Sequence, residues 1–305
     1  KGNLNNHLGV PLSLLEINEN TEFGIIEMGA NHLNEIAQLC KIVEPDFGYI
    51  TNFGNAHLEG FRSIEGVVKG KSELYNYLIN KKNLIFYNSE NEKQTSLINN
   101  YKKTFSYGLN SKSNCIIKKA ISKNTVDIIY KNELIKSSIY GDYNFENICI
   151  AIAIGDYFKV GFKNIKKAVE SYLPKNNRSQ ITVKETNTII SDAYNANPTS
   201  MNLALESFKK TNYKNKMIIL GDMFELGKES NEYHQEITNS LEKINDSIIY
   251  IVGEYFCNTK HSDKIESFST TKKLINNLSK TNISNYSILI KGSRGMELEK
   301  IIEFI

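Results

Sequence analysis

TIISDAYNANPTSM, residues 188–201, decides how this chain folds. A short apolar run stops at a carboxylate, Asp192, passes through the polar turn of Tyr194, Asn195 and Asn197, and reaches Pro198, a residue suited to the first position of a helix. A buried strand that hands over to a helix across a polar edge is half of a parallel βαβ unit. Working outward, "SQITVKE", "KMIIL", "SIIYIV" and "YSILI" are further apolar runs separated by helical segments, and they predict a second α/β unit after Pro174. "PKNN" (174–177) is the linker candidate, because it is polar and opens with proline.

The half before that linker alternates in the same way. "FGIIEM" is predicted as a buried strand, followed by a helix carrying Leu33, Ile36, Ala37, Cys40 and Val43 and ended by Pro45. "FGYIT" and "NLIFY" are predicted as the next strands, with a helix between them capped by Ser63. Four runs between Lys103 and Tyr140 read as antiparallel hairpins, and helices return over 144–158 and 164–172. No internal repeat is apparent.

The 305 residues, 40% hydrophobic and 23% charged, suffice for two cores of a soluble globular protein. A net charge of +3 is a weak field, and no basic run interleaved with aromatics argues for nucleic acid. No apolar stretch approaches a membrane span. The dispersed cysteines Cys40, Cys115, Cys149 and Cys257 form no CxxC pair, which fits reduced thiols in a cytoplasmic protein. Only three arginines occur, Arg62, Arg178 and Arg294, so each is a candidate for a place needing a planar five-donor fork.

Ligands of open parallel sheets sit beyond the carboxyl ends of the strands. Glu27, at the end of the first run, is either a metal ligand or a loop and capping carboxylate. His57, in "TNFGNAHLEGF", is either its companion or an ordinary surface histidine. Together they suit magnesium held partly by a substrate phosphate. Lys71 falls seven residues after Ile64 on the apolar face of its helix, whereas Lys69 points elsewhere. It either snorkels to water or is a used amine whose pKa burial lowers from about 10.4, ready to take up carbon dioxide as an anionic carbamate. Asp192 suits ribose hydroxyls and Tyr194 a base or sugar, unless the whole group is an Asx-rich helix cap. Asp222, Lys291, Ser293 and Arg294 lie at further strand ends.

"KGNLNNHLGVPLSLL", "EMGANH", "TNFGNAHLEGF", "KGKSELY", "DAYNANP", "LGDMFELG" and "KGSRGM" together resemble the Mur ligases of peptidoglycan synthesis over essentially the whole chain. The resemblance implies a central mononucleotide-binding parallel-sheet domain with a small antiparallel part (1–175), then a Rossmann-like α/β ligase domain (176–305). It implies ATP and Mg2+ as cofactors, UDP-N-acetylmuramoyl-tripeptide and D-alanyl-D-alanine as substrates, and ADP-forming amide synthesis through an acyl phosphate. A cytoplasmic monomer serving cell-wall synthesis, and thereby cell shape and division, is expected.

By the same resemblance Glu27, His57 and carbamylated Lys71 hold the metal, and Lys71, Arg178 and Lys291 serve catalysis. Asn144, Asn147, Arg178, Asp192, Tyr194, Asn195 and Asn197 face the nucleotide, with Tyr143 standing where the family has histidine. Asn5, Asn6, Ser293 and Arg294 face the other substrates. The family's GKT phosphate loop precedes the segment that "KGNLNN" resembles and is absent here, so the chain is expected to be a piece with near-zero turnover by itself. A folylpolyglutamate-synthase-like ligase and a non-catalytic nucleotide-binding module are the rival readings.

Overall fold

The computed structural model describes residues 4–54, 58–122 and 124–305. They form two compact units, Lys1–Lys118 with Cys149–Gly161, and Lys119–Ile148 with Phe162–Ile305.

The first unit contains helices α1 (Gly9–Leu14), α2 (Glu35–Val43), α3 (Leu58–Phe61), α4 (Ile64–Lys81) and α5 (Glu92–Ile98). Its strands β1 (Phe47–Gly48), β2 (Leu84–Asn88), β3 (Thr104–Gly108) and β4 (Cys115–Lys119) pair in that order, all parallel. Helix α4 begins where the sequence places it, with Ser63 Oγ accepting from the Gly66 amide at 3.1 Å. Val67, Leu74, Tyr75 and Leu78 of α4 are buried, the last three packing with Ile36, Leu39 and Cys40 of α2 and with Ile50 and Ile85. The buried Tyr75 ring satisfies its hydroxyl on the Phe86 carbonyl, 3.0 Å away. Helix α6 (Phe145–Tyr157) brings Tyr157 edge-on to Phe86 and Phe105, both at 5.3 Å.

Three expectations are corrected here. "FGIIEM" is not a strand: residues 23–28 have no ladder partner among the described residues, and Ile25 is 94% exposed. β-branched composition marks a strand only where a neighbour supplies hydrogen bonds, and here Gly29 N to Asn5 O, at 2.7 Å, is the nearest such bond. Ile64, counted on the apolar face of α4, is 40% exposed, because the first turn of that helix runs ahead of the core. Finally, β3 and β4 join a parallel sheet and not hairpins. Helix α5 carries the chain from β2 to β3, and such a crossover returns the strand in the same direction.

The second unit keeps one true hairpin, β5 (Ile128–Tyr130) with β6 (Glu133–Ile135), turned by Lys131 and Asn132, both at positive φ as a two-residue turn requires. After α7 (Phe162–Ser171) come β7 (Gln180–Lys184), β8 (Asn187–Asp192), α8 (Pro198–Lys209), β9 (Lys216–Gly221), α9 (Ser230–Glu242), β10 (Ser247–Val252), α10 (Glu254–Cys257), β11 (Ile265–Phe268), α11 (Thr271–Leu278) and β12 (Ser287–Lys291). The sheet order is β11-β10-β9-β12-β8-β7, parallel except for β7. Only two residues join β7 to β8, too few for a parallel crossover.

Alternation along each strand builds two cores. Ile190, Ile218, Ile249, Ile251 and Leu289 face Met201, Leu205 and Phe208 of α8 and Ile237 of α9. Their neighbours Ile189, Met217, Ile219, Val252, Ile288 and Ile290 face Leu274 and Leu278 of α11 and Leu298. A sheet buried on both faces reads as a continuous apolar run, which is how these strands read. The four cysteines are free thiols. No helix among the described residues is long and apolar enough to cross a membrane.

Candidate functional site

In the second sheet β8 leads to β9, β10 and β11 on one side, and β12 then inserts between β8 and β9. The carboxyl ends of β8 and β12 therefore lie together at a topological switch point, where such sheets bind ligands. Asp192 and Lys291 are register partners there. Lys291 Nζ donates to Asp192 Oδ2 at 2.6 Å and to the Asn195 carbonyl at 3.3 Å, and Lys291 is 2% exposed. A buried ammonium requires such pairing.

The other face of Asp192 is also engaged. Oδ1 accepts from Ser179 N at 3.0 Å, and Oδ2 from the Tyr143 hydroxyl at 3.4 Å. Asn144 Nδ2 donates to Ser179 Oγ at 2.9 Å and to the Tyr140 carbonyl at 2.8 Å, and Asn147 Nδ2 donates to Asn144 Oδ1 at 3.0 Å. Tyr143 hydroxyl and Ser179 Oγ are 2.9 Å apart. Tyr143 packs so tightly against Gly141, at φ 86°, that a side chain there would overlap the ring. Burial pushes the Tyr143 hydroxyl well above the usual phenol value, with the Asp192 carboxylate adding to it, so it stays a donor. Asn144, Asn147 and Asp192 thus gather as the sequence predicts. Tyr143 and Ser179 complete the set. Ser179 was missed, and its only signal is its place between Arg178 and a strand.

Arg178 projects from a turn in which Asn176, Asn177 and Ser179 all have positive φ. Asn177 Oδ1 accepts from Ser191 Oγ at 3.0 Å, tying that turn to β8. The Arg178 guanidinium lies 3.7 Å from the centre of the Tyr194 ring, and that of Arg294 lies 5.3 Å from the same centre. Both arginines are exposed. Among the described residues neither has a carboxylate within ion-pair distance.

Other predicted residues already hold backbone amides. Asn197 Oδ1 caps α8 by accepting from Ser200 N at 2.8 Å, with Ser200 Oγ accepting from Asn197 N in return, and Pro198 follows as expected. Asn195 Oδ1 accepts from Ala196 N at 2.8 Å. Ser293 Oγ accepts from Phe224 N at 2.9 Å. Residue type alone does not separate a cap from a ligand contact.

The loop after β9 rests on a pair that sequence reasoning left without a role. His234, fully buried, accepts from Met223 N through Nε2 at 3.0 Å and donates from Nδ1 to the Ser230 carbonyl at 2.6 Å. Burial holds its pKa below the ordinary value, so it is the neutral Nδ1–H tautomer that makes both bonds. Asp222 accepts from Tyr255 N and Phe256 N at 3.1 and 3.0 Å, and burial raises its pKa.

In the first unit Glu27 is exposed and its Oε1 accepts from Asn5 Nδ2 at 2.9 Å. Asn6 Oδ1 accepts from Leu8 N and Gly9 N at 3.1 and 2.9 Å, bracing the start of α1. Lys71 is half-buried and donates to the Asn52 carbonyl and Oδ1 at 2.8 and 3.2 Å. Burial nevertheless pushes its amine down to about 8. His57 lies outside the described residues. No hydrogen bond joins Glu27 to Lys71. Among the described residues no three His, Cys, Asp or Glu side chains gather into a metal cage. The exposed Glu27 carboxylate offers the hard oxygens that magnesium takes alongside water and substrate oxygens.

Residues 1–155 match the Mur ligase middle domain, and residues 177–294 the Mur ligase, glutamate ligase domain. The chain belongs to the Mur ligase family. The first Mur match takes in Glu27 and Lys71, and the second takes in Arg178, Asp192, Lys291 and Arg294. The UDP-N-acetylmuramoyl-tripeptide--D-alanyl-D-alanine ligase of Rickettsia prowazekii is 31% identical across 100% of this chain and 71% of its own length. The ligase of the same name from Bacillus subtilis is 31% identical, covering 99% and 68%. Among solved structures, MurF from Acinetobacter baumannii matches with a TM-score of 0.85 at 27% identity, over 99% of this chain and 69% of that one. MurF ligase from Thermotoga maritima, solved in complex with ADP, shares the fold with a TM-score of 0.84 at 23% identity, covering 100% and 71%.

Proposed function

We propose that this Mur ligase joins D-alanyl-D-alanine to UDP-N-acetylmuramoyl-tripeptide with hydrolysis of ATP to ADP, in the synthesis of peptidoglycan precursor. The observation that carries this reading is the likeness, across the whole chain, to relatives bearing that name. In it residues 1–175 form the ATPase-type part, residues 176–305 the ligase part, and one chain is the working unit.

The chemistry assigns work to the residues at the switch point. The tripeptide carboxylate takes up the terminal phosphoryl group, and the amine of the dipeptide then displaces phosphate. Both steps develop negative charge and depend on positioning and neutralisation. Arg178 and Arg294, exposed and without acidic partners among the described residues, receive that charge. Asp192 meets the ribose by exchanging one of its present partners, and Lys291 neutralises it meanwhile. Asn144 and Asn147 border the adenine side through the Ser179 network. Magnesium bound at Glu27, with His57 and a Lys71 carbamate, would supply charge neutralisation at the phosphates. Lys71 suits that part because its lowered pKa leaves a larger neutral fraction near pH 8.

The test is ADP release by the chain, alone and joined behind the N-terminal portion of the Bacillus subtilis relative. Release that requires both the tripeptide nucleotide and D-alanyl-D-alanine is expected. Release driven by a folate and glutamate instead would overturn the reading.

A further inference from the structure

The sequence predicts contact of Tyr194 with a base or sugar, yet its ring already meets two guanidinium groups. We propose that Tyr194 is a positioning residue whose ring gathers Arg178 and Arg294 about itself, so that a single phosphoryl oxyanion meets both. The proposal rests on the ligase reading above, and deepens it.

Three observations converge. The backbone under each arginine is pinned: Asn177 to Ser191 and Ser179 to Asp192 fix the turn below Arg178, while Ser293 N to the Asp222 carbonyl (3.1 Å) and Phe224 N to Ser293 Oγ fix the base of Arg294. With the bases fixed, freedom remains only in the long side chains, and contact with one aromatic ring removes part of it. Two guanidinium groups repel each other in the absence of an anion. The π cloud of the ring attracts both cations, offsets that repulsion and keeps each within 5.3 Å of its centre before a ligand arrives. Lys291, buried behind Asp192, does not compete for this role, because its ammonium is already bonded. An arginine pair organised in advance loses less side-chain entropy on binding, which appears as affinity.

Inorganic tripolyphosphate is the probe, titrated calorimetrically into the intact chain, and the variants are Tyr194→Phe, Tyr194→Leu and Arg178→Ala/Arg294→Ala. Phe keeps the ring, so binding within about twofold of the parent is expected. Leu keeps the bulk without the π face, so binding about fivefold to tenfold weaker is expected at an unchanged melting temperature. In the double-arginine background Tyr194→Leu should cause no further loss, which a merely structural role would not predict. Equal loss in Phe and Leu, or a Leu variant that binds like the parent while the double-arginine variant does not, would overturn the role of Tyr194 alone. Failure of the parent chain to bind tripolyphosphate would overturn the anion site itself. Should Leu fail to fold, Tyr194→Met takes its place with the same expectations, and loss in the Phe variant would assign the effect to the hydroxyl.

Discussion

Lys291 and Asp192 stand opposite each other on adjacent parallel strands, and their side chains meet at 2.6 Å at the point where the sheet changes winding direction. The pair does two things at once. It makes a buried lysine tolerable, and it holds a carboxylate at a ligand-binding edge with its charge already compensated.

Removing one partner is therefore unequal to removing the other. Asp192→Asn leaves the 2%-exposed ammonium without its anion and should cost about 3 to 5 kcal/mol in urea unfolding. Lys291→Met leaves Asp192 with its bonds from Ser179 and Tyr143, and should cost about 1 to 3 kcal/mol. The double variant should recover part of the Asp192→Asn loss. Equal costs for the two single variants would contradict this picture.

His234 carries a second stability prediction. His234→Leu strands the Met223 amide and the Ser230 carbonyl, so a loss of about 2 to 4 kcal/mol is expected. Its acid response follows from the lowered pKa. As pH falls through about 6.5 an unfolded histidine takes a proton while the buried one does not, so stability drops toward acid. Asp222 has the opposite sign. Its pKa is raised above 3.8, so its contribution is present in acid and lost as pH rises through that lower window. Unfolding curves of the parent and of His234→Leu, compared from pH 7 to 5, should converge as pH falls. A constant gap would remove His234 as the source.

Helix α2 offers a local test. Glu73, from α4, accepts from Asn34 N at 2.6 Å and Ala37 N at 2.9 Å, satisfying amides at the start of a helix that follows the Glu27 loop. Glu73→Ala should cost about 1 to 2 kcal/mol and speed hydrogen exchange in the first turn of α2, with Glu73→Gln intermediate. Unchanged exchange there would show that the cap is dispensable.

How much of this was legible depends on range. Caps are local, and Ser63 and the Asn197–Pro198 step were readable from a few residues. So was the paired burial of Ile189 and Ile190, because alternation is a property of the strand itself. Strand direction is not, and β3 and β4 were misread for that reason. "FGIIEM" shows the same limit, since its apolar run says nothing about who pairs with it. At the site, Asp192, Lys291 and the scarce arginines were found because their chemistry is unusual at strand ends. Asn6 and Ser293, predicted as ligand contacts, also accept backbone amides, Asn6 within its own turn and Ser293 from Phe224 across the fold, and His234 went unassigned because its partners are backbone atoms brought in by the fold.

Lys71 unites sequence anomaly, packing and chemistry. Its helix face is apolar, yet Asn52 gives the ammonium two oxygens to bond, and these oppose the desolvation that lowers its pKa to about 8. Desolvation wins. Between about 8 and the ordinary 10.5 the unfolded chain holds a proton on this amine that the folded chain has released, so stability rises with pH across that window. Lys71→Met should abolish that rise. Near pH 8 about half of the folded amine is neutral, against well under one in a hundred for an ordinary lysine. Competitive acetylation read by mass spectrometry should therefore give Lys71 a reactivity midpoint about two units below the ordinary lysine value. A neutral amine adds carbon dioxide and loses a proton, so 13C-labelled bicarbonate should give a carbamate signal that Lys71→Met removes. Titration of Lys71 together with the surface lysines, and no Lys71-dependent carbamate, would leave Glu27 without its expected anionic companion.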